Sequence, residues 1–176
     1  IVDQYLKNNP TDLSFYLQKA KVEREAGDLR EEERVLLELI GFSRYDFQSN
    51  KIKQAAYRRL SEIYLKTERF KQAVAMIEYL LRSDKDQSVW SMYFASLSRV
   101  GNKETLHKAK DDFARYMRAK VYFDKGHDYE EEYKFSLALK HYREGLEIYP
   151  DEAIINVQVG NILMKHRKWY SKAEGY

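Results

Sequence analysis

The stretch AKVYFDKGHDYEEEYKFSLALKHYREGLEIYPDE, residues 119–152, decides the fold. Along it Tyr122, Gly126, Tyr129, Phe135, Ala138, Tyr142, Gly145 and Pro150 follow one another at helical spacings, large residues alternating with small ones. Two antiparallel helices need this pattern to nest, because the small residues let the backbones approach while the large ones fill the gap. A helix pair of this length cannot bury its apolar face alone. It must stack on neighbours, so the chain is read as an array.

Weaker copies lie on either side. Pro10, Thr11 and Asp12 form a stop and an N-cap, after which Phe15, Tyr16 and Ala20 mark a helix that ends at Gly27-Asp28. Its return helix holds Leu29, Leu36, Leu37, Leu39 and Ile40. Residues 41–53, with Gly41, Ser43, Asp46, Ser49 and Asn50, read as the longest irregular segment. A second pair runs through Tyr57, Leu60, Ser61 and Tyr64, then Phe70, Ala73, Ile77 and Leu80. The third opens with Trp90, Phe94 and Leu97, turns at Gly101-Asn102 and returns through Ala109, Phe113 and Tyr116. Between Glu104 and Glu132 only Gly126 could break a helix, so two successive helices there are expected to be fused or tightly joined. The fifth copy reaches Gly160, Leu163 and Trp169.

Composition narrows the functional classes. The 176 residues are 44% apolar with negative mean hydropathy, and the apolar runs 35–42 and 73–81 are broken by Glu38 and Glu78, far short of the ~20 residues a membrane helix needs. Cysteine is absent, which excludes disulfides and thiolate metal sites. A net charge of +3 gives no reason to expect nucleic acid. Two prolines and seven glycines fit helices joined by short turns.

These residues resemble tetratricopeptide repeats, helix-turn-helix units of about 34 residues. Residues 119–152 match every hallmark position. Residues 13–46 agree at Tyr16, Ala20, Gly27, Leu29, Leu36 and Leu39, with Glu23 and Glu32 where large and small apolar residues are usual. Residues 54–87 lack the closing proline, 88–118 diverge most, and 153–176 depart at Asn156. Residues 1–12 read as the tail of a preceding repeat. The resemblance implies an all-α, right-handed superhelical α-solenoid of about five antiparallel helix pairs. Both ends fall within repeats, so the expectation is a fragment of a longer protein, whose Tyr5, Leu6, Trp169 and Tyr176 would allow self-association through the ends.

Chemistry-bearing clusters are few. His127 and Glu131 have the i, i+4 spacing of shared metal ligands, but two ligands fall short of the three or more that such sites need, and the run Asp128 to Glu132 reads as a solvated face. His107, His141 and His166 stand alone, without a nucleophile motif or a phosphate-binding glycine loop. The expectation is a non-catalytic chain without cofactor or metal. Fifteen tyrosines admit two roles, stacking on a polymer or filling the core; Tyr16, Tyr57, Tyr64, Tyr122, Tyr129 and Tyr142 fall on packing positions, which leaves Phe123 as the clearest ligand candidate.

In the family the first helix of each pair lines a concave groove. The resemblance therefore implies a groove formed by Leu17, Lys21, Arg24, Glu25, Arg58, Glu62, Leu65, Lys66, Ser91, Ala95, Ser98 and Arg99, continued by Phe123, His127, Glu130, Glu131, Val157, Asn161, Met164 and Lys165. The clamp that grips carboxylate tails of chaperones is not matched, because Leu17 and Lys21 replace its first pair and Ser88 and Met92 its later basic residues. The expected function is a protein-interaction scaffold holding a peptide or helix of a partner, with the basic first three copies facing an acidic segment. Recognition of a polysaccharide or RNA through groove aromatics, and structural self-assembly, are the alternatives.

Overall fold

The computed structural model describes residues 5, 8, 9, 11–42 and 47–173, with residues 47 and 166–173 by backbone alone. The fold is all-α. Eight helices and no strand occur among the described residues: α1 (Leu13–Ala26), α2 (Leu29–Gly41), α3 (Phe47–Lys66), α4 (Phe70–Leu80), α5 (Gln87–Val100), α6 (Lys103–Glu131), α7 (Phe135–Ile148) and α8 (Ala153–Ala173). Two compact units, Ile1–Leu106 and His107–Tyr176, divide the chain just inside α6. None of the described helices is long and apolar enough to cross a membrane.

Local chemistry sets the helix ends. Asp12 caps α1 by accepting from the backbone N–H of Ser14 at 3.1 Å and of Phe15 at 3.4 Å, and Asp28 caps α2 by accepting from Glu31 N–H at 3.0 Å. Between them Gly27 takes the left-handed conformation at φ 79°, as Gly101 does at φ 80° after α5. Two further turns make the same step without glycine, at Glu68 with φ 58° and Tyr133 with φ 59°. All but the turn at Gly101 close with the same long hydrogen bond, from Asp28 N–H to Glu23 O at 3.0 Å, Arg69 N–H to Tyr64 O at 2.8 Å and Lys134 N–H to Tyr129 O at 2.8 Å.

In the first unit each helix packs on the next in sequence, and α1 also touches α3. Leu36, Leu39, Leu60, Ile63, Ile77 and Leu80 fill its core. Ser61 and Ser96, where the helices come close, are buried with their hydroxyls donating to the carbonyls of Tyr57 and Met92, both at 2.8 Å. The second unit is built around Phe123, Tyr142, Tyr149, Ile155 and Ile162, with Ala119 and Ala138 between them. A Cβ on Gly126 would fall on the Tyr142 ring, and one on Gly145 on the Phe123 ring, so both glycines sit where α6 and α7 approach most closely.

The segment expected to be irregular, 41–53, is shorter than the sequence suggests, because α3 already begins at Phe47. Ser49 is buried there, and the buried Lys53 ammonium donates to the Phe42 carbonyl, the C-cap of α2. Satisfying that carbonyl ties the start of α3 to the end of α2, which offsets the weak helix propensity of Ser49 and Asn50. Residues 43–46 lie outside the described residues. Between Lys103 and Glu131 the fused alternative holds: α6 is one helix of 29 residues, and it runs through the expected 118/119 boundary without a break. Tyr5 stacks on Phe15 with ring centroids 3.7 Å apart, whereas Leu6, Tyr176 and the side chain of Trp169 lie outside the described residues.

Candidate binding groove

Where α1 lies beside α3, an open groove of about 540 Å³ forms within the first unit. Ser14, Leu17, Gln18, Lys21 and Arg24 of α1 form one wall, and Gln48, Ile52, Ala55, Arg58, Arg59 and Glu62 of α3 the other, over Leu36 of α2. Both walls follow from helical spacing, since residues 14, 17, 21 and 24 fall on one face of α1 and 48, 52, 55, 59 and 62 on one face of α3. Following each helix from its N-terminus, the lining passes from neutral polar (Ser14, Gln48) through a mainly apolar stretch (Leu17, Ile52, Ala55, with Gln18 beside Leu17) to charged (Lys21, Arg24, Arg58, Arg59, Glu62). Five residues that the sequence places in the groove, Leu17, Lys21, Arg24, Arg58 and Glu62, thus meet in one place.

What fixes the groove is a residue that the repeat pattern marks only as a departure. Glu32 of α2 is 0% exposed, and its carboxylate accepts from Arg59 of α3 at 2.6 and 2.9 Å and pairs with Arg24 Nε of α1 at 3.2 Å. A buried carboxylate is tolerated only when cations and hydrogen bonds satisfy it, so Glu32 draws the two walls together. Its hydrogen bonds drive the Arg59 guanidinium still further above its ordinary pKa, despite the opposing effect of burial. The signal was present in the sequence as a lone glutamate on an apolar face with arginines one helix away on either side.

The net basic character expected of the first three copies is reduced by such pairing. Arg58 donates to Asp84 at 2.6 Å and to Ser88 at 3.1 Å, Arg59 also donates to Glu62 at 2.9 Å, and Arg99 lies over the Phe70 ring at 5.8 Å. Lys21 has a looser arrangement, 4.0 Å from Glu25 with both side chains about two-thirds exposed. Lys66 is exposed at the end of α3.

In the second unit Phe123 is 5% exposed with its ring against Gly145, so it serves the core and cannot act as the exposed aromatic anchor the sequence suggested. Position counting placed Phe123 beside a packing residue, but on α6 it is Tyr122 that lies half-exposed near His141 and Phe123 that points inward. Glu130 accepts from the buried Tyr142 hydroxyl at 2.7 Å, a structural bond. His127 and Glu131 stand 3.6 Å apart on an exposed face, and among the described residues no group of three or more potential metal ligands gathers. Asn161, Met164 and Lys165 are exposed on α8, where Ile154 and Val157 add exposed apolar surface.

No aromatic side chain is among the described residues lining the α1–α3 groove. Tyr16, Tyr64 and Tyr142 are buried, Tyr122 and Tyr129 flank His141, and Tyr57 stacks on Tyr79 at 4.9 Å, whose ring also carries Arg82 at 4.5 Å. Comparison with protein-family models gives no match, and neither does comparison with curated protein sequences.

Proposed function

We propose that the chain is a non-catalytic interaction scaffold of tetratricopeptide-like repeats, and that it holds a peptide or helical segment of another protein in the groove between α1 and α3. The observation that carries this reading is the graded groove itself, mainly apolar in the middle, neutral polar at one end and charged at the other, and built on two helices cross-linked by Glu32. An apolar strip lined by a few oriented polar groups suits side-chain anchoring of a peptide. The described lining is aliphatic, amide and charged, which suits the side chains of a peptide.

Selection from a phage-displayed library of random 12-residue peptides tests the reading. Peptides enriched on the protein should lose binding by at least tenfold to Leu17→Arg, which puts a long charged side chain into the apolar middle of the groove. Enriched peptides that bind Leu17→Arg equally well, or a library that yields none, would overturn it.

A further inference from the structure

We infer, resting on the groove reading above, that the groove is selective for a peptide presenting an aliphatic side chain and, about one helical turn further along the groove, a carboxylate received by Lys21 and Arg24. Four cations line the charged end, but the structure uses them differently. Arg59 commits all three guanidinium nitrogens, Nε and one terminal nitrogen to Glu32 and the other to Glu62. Arg58 commits both terminal nitrogens, to Asp84 and Ser88. Both are therefore oriented by internal carboxylates whose charge offsets their own, so they attract a ligand carboxylate less than a cation without such partners does.

Arg24 comes nearest to Glu32 through Nε, at 3.2 Å, its side chain makes no hydrogen bond among the described residues, and, 45% exposed, it lines the groove. Glu32 therefore acts as a positioning residue: it fixes the guanidinium by one edge and leaves the edge that binds carboxylates in a fork geometry. One helical turn back on the same face, Lys21 has only the exposed 4.0 Å pair with Glu25, which a ligand carboxylate displaces at little cost. Across the groove Glu62, held by Arg59, repels a carboxylate, so the acidic group is confined to the α1 wall. Leu17 precedes Lys21 by four residues, or about 6 Å along the helix, which sets the distance between the apolar and acidic groups of the partner. Charge complementarity and the direction of the gradient together choose an aliphatic–acidic segment lying along α1.

The composition of the enriched 12-residue phage peptides decides this separately from the groove reading. Lys21→Glu alters an exposed side chain and is expected to keep the wild-type melting temperature; Arg24→Gln leaves Glu32 with both Arg59 bonds and serves as the second variant. We expect enriched peptides to share an aliphatic residue followed by Asp or Glu, synthetic copies to bind Arg24→Gln about tenfold more weakly, as loss of one charge-assisted contact does, and selection on Lys21→Glu to replace the acid by Lys or Arg. Peptides that need Leu17 but carry no acid, or whose acid is indifferent to both Lys21→Glu and Arg24→Gln, would overturn the inference and leave the groove intact. Peptides indifferent to Leu17→Arg would overturn the groove reading itself.

Discussion

Buried tyrosines in this chain divide their two ends between different tasks. The rings of Tyr16, Tyr93, Tyr142 and Tyr149 are buried, and their hydroxyls donate to carboxylates on the neighbouring helix: to Glu38 at 3.1 Å, Glu78 at 3.0 Å, Glu130 at 2.7 Å and Asp112 at 3.3 Å. This accounts for four of the fifteen tyrosines without a ligand, because phenylalanine would fill the same volume but leave the bond unmade. Burial first, and the acceptor carboxylate second, hold the Tyr16 and Tyr142 hydroxyls above the ordinary phenol range; Tyr149 is raised likewise by burial and the Asp112 charge. Unfolded tyrosines release their protons near pH 10, so above that the unfolded chain binds fewer protons than the folded one and stability falls as pH rises. Urea unfolding should give constant stability from about pH 7 to 9 and a decline above about pH 10, shallower in Tyr142→Phe. A level profile to pH 11.5 would contradict the coupling.

The Glu32 cluster predicts an asymmetry at the same scale. Arg59→Ala leaves the fully buried carboxylate with Arg24 alone and should cost about 3 kcal/mol. Glu32→Ala removes the buried charge, releases two partly exposed arginines to water and places there the residue that Ala73 and Ala138 supply near the start of α4 and α7, so about 1 kcal/mol is expected. Denaturant midpoints in the opposite order would mean that the groove walls are held by something other than satisfaction of Glu32.

At the scale of elements, the turns after α1 and α5 were legible because Gly27 and Gly101 announce a left-handed cap, and the caps at Asp12 and Asp28 because their side chains reach the first-turn amides. The turns after α3 and α6 carry no such sign, since Glu68 and Tyr133 adopt the same conformation under the constraint of helices already packed on either side. Tyr133 is 81% exposed there, so its side chain contributes little packing to offset the strain. Tyr133→Gly and Glu68→Gly should each therefore raise stability by about 1 kcal/mol, read as a higher denaturant midpoint with unchanged slope. A fall in midpoint would show that the side chain contributes more than its backbone costs. The start of α3 was illegible for a related reason, because Lys53 binding the Phe42 carbonyl is a contact between elements that local propensity does not contain.

At the scale of the molecule, periodicity revealed the helices and many groove positions, but it could not reveal which charges remain available. Lys21, Arg24 and Arg58 look alike in a register count, and only the pairing of Arg58 with Asp84 and of Arg24 with Glu32 separates them. Phe123 was misread because a one-residue rotation of the second unit's first helix exchanges it with Tyr122. All twelve lining residues of the groove, from Ser14 to Glu62, and the partners Glu32, Asp84 and Ser88, belong to Ile1–Leu106, which has its own aliphatic core of Leu36, Leu39, Leu60, Ile63, Ile77 and Leu80. When contacts are made chiefly between neighbours in sequence, stability is a sum of local terms, and a unit with a complete core retains most of its own. Residues 1–106 expressed alone should then show a helical circular dichroism spectrum with a cooperative melt and bind the selected peptides within about threefold of the full chain, whereas residues 107–176 should not bind them. A spectrum without helix would show that the first unit does not fold on its own; a helical first unit that binds more than about tenfold more weakly would contradict the placing of the whole site within Ile1–Leu106.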